Sequence, residues 1–175
     1  MIERATTLEA VADVTFKDAK DGFFAIRVAR ELEQPSDKPE LFTDANGRAT
    51  TVPRMDTAGV TGLYRSAEGL QGDSVWSSRA RWVNLHGRVK GEEISIAIID
   101  HPENLGYPTY WHARGYGLFA ANPLGAAVFS QGKETRNFQL KAGQKITFRY
   151  RVAIISGKTT GKEINKLADQ FYQTD

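Results

Sequence analysis

Hydrophobic and polar positions alternate with a period of two over much of this chain, as expected for strands with one covered face. The segments VADVTF (residues 11–16) and FFAIRVAR (23–30) predict two strands joined by the polar turn KDAKDG. VWSSRARWVNLHG (75–87) places Trp76, Ser78, Ala80 and Trp82 on one face, and Ser77, Arg79 and Arg81 on the other. EEISIAIID (92–100) follows the turn GRVKG, so the two segments predict an antiparallel hairpin. Ile94, Ile96 and Ile98 share a face of its second strand, while Ala97 and Ile99 make the opposite face apolar too. That pattern predicts a central strand covered on both sides. NFQL and QKITFRYRVAIIS flank the turn KAGQ, with Ile146, Phe148, Tyr150, Val152 and Ile154 along one face of the last long strand.

The alternation breaks in two places. Residues 33–62 form a long polar passage punctuated by Pro35, Pro39, Gly47, Pro53 and Gly59, with LYRS after it as a short strand. Loops of that length are uncommon inside compact domains and are usually functional or mobile. Near the end the period changes to 3.6: Ile164, Leu167, Ala168 and Phe171 follow helical spacing, and Thr160 with Glu163 fits a capping box before them. The expected fold is all-β dominated: one antiparallel β-sandwich domain over residues 1–175, with one C-terminal α-helix at about 160–173.

Composition narrows the function classes. The chain has 175 residues, 41% hydrophobic and 25% charged, as an ordinary globular domain does. Its formal charge of +2 is spread over interspersed residues of both signs, which argues against nucleic acid or a membrane surface as partner. There is no cysteine, which rules out disulfides, thiolate catalysis and cysteinyl metal sites. The opening MIERATTLEAV carries acids and no apolar core, so no signal peptide is expected, and no apolar run approaches a membrane span. At face value the chain is cytoplasmic.

Candidate chemistry concentrates in DHPENLGYPTYWHARGYGLFAANPLG (residues 100–125). His101 and His112 are acid/base candidates because imidazole titrates near neutrality, and Asp100 is placed to orient one of them. Arg114 would hold a carboxylate or sugar hydroxyl, and Trp111, Tyr110 and Tyr107 offer flat faces for a sugar ring. The plain structural alternative is that the rings fill the end of a sandwich and the histidines bond loop carbonyls. Two histidines with ten residues between them match no standard zinc spacing, so no metal cofactor is expected; a divalent ion would need Asp100 or Glu103 as a third ligand. Arg79 and Arg81 form a second constellation, read as a paired anion or sugar clamp or as a solvated strand face with salt-bridge partners. Arg27, set among apolar residues, needs a partner or a cleft, whereas Arg30 is read as solvated. Glu68 stands in a glycine-bounded turn, as a general base or a plain turn acid. His86 is placed at a hairpin turn, exposed and idle. No phosphate-cradling glycine pattern or GxSxG elbow occurs.

The run AIRVARE, then SAEG…RARWV…GEEISIAIIDHPEN…YPTYWHARGYGLFAANPLG, then NFQLKAGQKITFRYRVAIISG resembles the bacterial PmoA-like family over nearly the whole chain. The resemblance is to the C-terminal half of members close to twice as long, whose N-terminal half carries a further DHPHH-type motif that has no counterpart here. It implies a large antiparallel β-sandwich of the galactose-mutarotase-like supersandwich type, or half of one. It also implies carbohydrate-related work, since members occur beside sugar oxidoreductases and glycoside-processing proteins. The methane oxygenase chemistry in the family's name is not expected, because the sequence offers neither membrane spans nor a ligand set. A half-sandwich would leave sheet edges uncovered, so self-association as a homo-oligomer is expected. Three readings follow: a carbohydrate-active enzyme or enzyme half, a non-catalytic carbohydrate-binding module, and a structural or assembly domain.

Overall fold

A computed structural model of the chain describes residues 1–21, 23–35, 40–43, 48–52 and 56–173. Its strands are β1 (Ile2–Glu9), β2 (Val14–Phe16), β3 (Phe24–Arg27), β4 (Glu40–Thr43), β5 (Ala49–Val52), β6 (Leu63–Ser66), β7 (Trp82–Val89), β8 (Glu92–Asp100), β9 (Tyr110–Ala113), β10 (Leu118–Asn122), β11 (Phe138–Leu140) and β12 (Lys145–Ser156). A single-turn helix α1 (Ala126–Phe129) and a terminal helix α2 (Gly161–Phe171) complete it. All pairings are antiparallel. One sheet runs β1-β12-β8-β7-β6, a second runs β3-β10-β9, and β11-β2 and β4-β5 form two ribbons.

The centre of the larger sheet follows the alternation. β7 and β8 form the expected hairpin, closed by Lys90 and Gly91, which both adopt positive φ as a tight two-residue turn requires. β8 is covered on both faces. Ile98 joins Val83, Leu85, Phe148, Tyr150 and Val152 against Trp111, Phe119 and Ala121 of the smaller sheet. Ala97 and Ile99 join Trp82 and Ala153 beneath Ile164, Ala168 and Phe171 of α2. The helix begins at the expected capping box: Thr160 Oγ1 accepts the Glu163 N–H, and the Glu163 carboxylate accepts the Thr160 N–H. Trp82 Nε1 donates to Asn165 Oδ1 at 2.7 Å, fixing the helix over the sheet.

The structure differs from the sequence reading in several places. Residues 1–10 supply the long edge strand β1, which the alternation did not signal. The segments at 11–16 and 23–30 do not pair with each other, because β2 pairs with β11 and β3 with β10. The strand expected over residues 75–87 starts at Trp82: Gly72–Val75 form a 3-10 turn and Ser77 takes φ 66°. His86 lies in the middle of β7, opposite Leu63 and Ser95, rather than at a turn. The polar passage 33–62 contains the β4-β5 ribbon; its Pro39, Gly47 and Pro53 lie outside the described residues.

Candidate functional site

The register of the smaller sheet sorts its side chains into two faces. Trp111, Ala113, Phe119, Ala121, Phe24 and Ile26 turn toward the larger sheet and its core. By the period-two rule, Tyr110, His112, Arg114, Ala120, Ala25 and Arg27 turn outward. Ala25 is exposed on this face, whereas Ala120 and His112 at its centre are buried, and longer side chains gather there.

Those side chains form a continuous belt of cations and rings. The Arg79 guanidinium lies 5.3 Å from the Tyr110 ring centre, and Tyr110 stacks on Phe129 at 5.7 Å. Phe129 receives the edge of Trp76 at 5.9 Å and of His112 at 5.7 Å. Arg114 lies 5.5 Å from the Trp76 ring and 5.6 Å from that of Tyr116, and Arg27 lies 5.5 Å from the same Tyr116 ring. Arg27 also donates to the Tyr116 carbonyl at 3.0 Å. These distances are within cation–π range, where the ring quadrupole attracts the cation. α1 brings Phe129 to the belt, and the positive φ of Ser77 turns the chain so that Trp76 reaches it.

Charge on this face is mostly positive. Glu134 is the acid at one end, 3.5 Å from Arg79 and accepting the Tyr110 hydroxyl at 3.0 Å. Burial, aided by that carboxylate, raises the Tyr110 phenol above its ordinary range. His112 is 5% exposed, and its Nδ1 has no hydrogen-bond partner. Burial holds its imidazole below the usual 6.5, and the Arg114 cation adds to this, so the ring is neutral at pH 7.

The three acid/base candidates do not meet. Asp100 is fully buried between the sheets, where it accepts hydrogen bonds from Asn104 Nδ2 and the Thr109 N–H, both at 2.8 Å. Burial pushes its carboxyl up to about 7. His101 is the next residue on β8's alternation and so faces the opposite side, edge-on to Phe171 at 5.0 Å and Tyr172 at 5.9 Å beneath α2. Its imidazole is lowered by burial. His112 lies on the far side of the smaller sheet.

The remaining candidates divide. Arg79 ties down the following loop, donating to Pro108 O at 2.8 Å and Gly106 O at 3.1 Å, while Arg81 pairs with Asp169 of α2 at 3.3 Å, so the two arginines serve different elements. Trp111, expected as a stacking platform, is a core residue, 0% exposed with Nε1 donating to Ala80 O at 2.8 Å. Tyr107 bonds the Tyr172 hydroxyl beneath the α2 terminus. Glu103 pairs with Arg149, and Glu68 stands on an exposed turn after β6. Arg30, expected to be solvated, pairs with Asp56 at 2.8 Å while staying half-exposed. Trp76, Tyr116 and Phe129 were not among the expected site residues. The signal for Tyr116 was its glycine-flanked position after Arg114.

Among the described residues, no three His, Asp or Glu side chains gather as metal ligands, and no helix is long and apolar enough to cross a membrane. Residues 1–169 match the profile of a family of unknown function, DUF6807. That match does not extend to the PmoA-like name suggested by the central motif. No curated protein matches the chain, and no solved structure does.

Proposed function

We propose that this chain, which belongs to the DUF6807 family, is a saccharide-binding domain whose site is the outer face of the β3-β10-β9 sheet. The observation that carries the reading is the belt in which Arg114 lies against both Trp76 and Tyr116, on the sheet face where Ala25 is exposed. Saccharides present apolar C–H faces and rims of hydroxyls. Half-buried rings accept the former, and guanidinium forks donate to the latter or to a carboxylate. The PmoA-like resemblance, with its carbohydrate-related associations, points the same way.

Binding is favoured over turnover by the separation of Asp100, His101 and His112. General acid/base catalysis needs its groups within hydrogen-bond reach of one reacting centre. These three lie between the sheets, beneath α2 and on the outer face respectively.

The test is titration of the protein with a panel of neutral and uronic-acid saccharides, read by calorimetry and by tryptophan fluorescence. Trp76 is the half-buried indole of the three, so its emission should respond. Trp76→Ala and Arg114→Ala should each weaken binding by about tenfold or more, the loss expected of a stacking or charged anchor. If no saccharide binds, or both variants bind as the parent does, the reading fails.

A further inference from the structure

Among the described residues, β1 is the one long strand with a free edge. The edge β6 has four residues and is bridged at Arg65 by Gln71. The free side of β9 is taken by residues 77–80, with Ser77 N–H donating to Trp111 O and Trp111 N–H to Ser78 O. β3 has four residues. β1 has eight, with no proline or lysine to deter pairing.

Its backbone direction is settled by its neighbour. The Ala10 N–H donates to Gln144 O, just beyond the β1-β12 ladder, so even-numbered residues turn their backbone groups toward β12. Arg149, opposite Ala5, confirms the phase: its N–H and C=O bond the Asn104 side chain on the β8 side. The donors and acceptors of Glu3, Ala5, Thr7 and Glu9 therefore point at the free edge, unpaired by any strand among the described residues. The side chains of Ile2, Arg4, Thr6 and Leu8 line an apolar groove of about 810 Å³ between β1 and β3, with Phe24, Ile26 and Val152. Ile2 remains 59% exposed.

We propose that a second copy of this chain pairs along this edge, β1 against β1 about a two-fold axis through Ala5, joining two five-stranded sheets into one. The residue pattern of β1 matches itself, with apolar residues opposed and like charges kept apart, in one register. Antiparallel pairing through the outward odd residues allows only registers in which paired residue numbers sum to an even value. A sum of 8 sets Arg4 opposite Arg4. A sum of 12 sets Glu3 opposite Glu9 twice, and a sum of 14 sets Ile2 opposite residue 12, beyond the strand, so that it pairs with nothing. A sum of 10 sets Ile2 opposite Leu8, Glu3 opposite Thr7 and Arg4 opposite Thr6, with Ala5 facing itself. No like charges then stand opposed, and both apolar residues at the groove mouth find partners.

The absence of cysteine makes the register directly testable. Light scattering and sedimentation over a range of concentrations should show a dimer; a monomer throughout overturns the proposal. Under oxidation, Arg4→Cys and Thr6→Cys proteins should not cross-link alone but should do so when mixed, because opposed non-hydrogen-bonded residues have Cα atoms about 4.5 Å apart. Self-linking of Thr6→Cys would mean the sum-12 register and self-linking of Arg4→Cys the sum-8 register; either overturns the assignment. Ala5→Pro removes an N–H that the single copy does not use, so the fold should survive and the dimer be lost. Thr6→Arg should raise the dimer dissociation constant roughly tenfold, since it creates two symmetric Arg–Arg oppositions, and Thr6→Glu should lower it. Unchanged dimerisation in both Thr6 variants would also overturn the proposal.

Discussion

Asp100 and Thr109 close the loop between β8 and β9 on itself: the buried carboxylate accepts the Thr109 N–H at 2.8 Å. The other carboxylate oxygen takes Asn104 Nδ2, and Asn104 in turn bonds both backbone groups of Arg149 on β12. One acid thus substitutes for strand pairing where β8 ends. Tyr150 lies opposite it in the ladder, with a buried hydroxyl that makes no hydrogen bond.

That burial predicts a pH dependence of stability. The Asp100 carboxyl titrates near 3.8 when exposed and at about 7 in the fold. The folded state therefore holds its proton more tightly, so this stabilisation is complete below about pH 4 and is lost as pH rises through 7. Urea unfolding should show the protein losing up to ~4 kcal/mol from this group across that window, three pH units at 1.36 kcal/mol each. Asp100→Asn should flatten the profile. Equal slopes in parent and variant would show that the dependence comes from other groups.

Arg79 acts on the same loop from the other side. Its Nε and a terminal nitrogen hold the carbonyls of Pro108 and Gly106. Charge-assisted bonds to carbonyls contribute more than neutral ones, and a partner left unpaired costs further. Arg79→Ala should destabilise by about 2 kcal/mol, and Arg79→Lys, which cannot fork to two carbonyls, by about half of that. Denaturant midpoints at constant slope measure both. If Arg79→Lys matches the parent, the fork is not what matters.

The sequence made some of this readable and hid the rest for identifiable reasons. β8, β12 and α2 declare themselves locally, because two apolar faces, a long alternation and a capping box each lie within one segment. β1 is hidden because most of Ile2–Glu9 is exposed, so burial imposes no alternation on it. The outer-face site is hidden by parity. In YWHA either Tyr110 and His112 or Trp111 and Ala113 could face the core, and only pairing with β10 decides. Asp100 and His101, adjacent in sequence, are separated by the same rule: consecutive strand residues face opposite sides.

Trp111 and Trp76 should therefore behave oppositely on substitution. Trp111→Ala removes a fully buried indole and its bond to Ala80 O, and should cost about 3–5 kcal/mol. Trp111→Phe should retain the fold and saccharide affinity within about twofold, because the side chain never reaches the outer face. Trp76→Ala should cost less stability and more affinity. Melting temperature and calorimetric affinity separate the two effects, and a Trp111→Phe protein that folds but binds tenfold worse would contradict the assignment.

His112 provides the sharpest distinction between binding and catalysis at the outer face. Three charged neighbours act on it besides burial: Arg114 and Lys20 lower its imidazole, Asp21 raises it, and a hydrogen bond with the Lys20 backbone also raises it. Burial and Arg114 prevail, so the folded ring takes up its proton below the ordinary 6.5 while the unfolded ring takes it up at 6.5. The linked stability is present above 6.5 and is lost as pH falls from there through the lower value of the folded ring. A ring that is neutral and wedged against Phe129 contributes shape, and its charge changes only on the acid side. Affinity for a neutral saccharide should then be flat from about pH 8 to the upper end of that titration and weaken below it, where a second cation repels Arg114. His112→Gln should bind within about threefold of the parent at about pH 7, having kept a polar side chain of similar size, and should lose the acid-side fall. Titrations of both proteins across that range decide the matter. A turnover signal with a bell-shaped pH profile that His112→Gln abolishes would instead make His112 a proton-transfer group and the face a catalytic one.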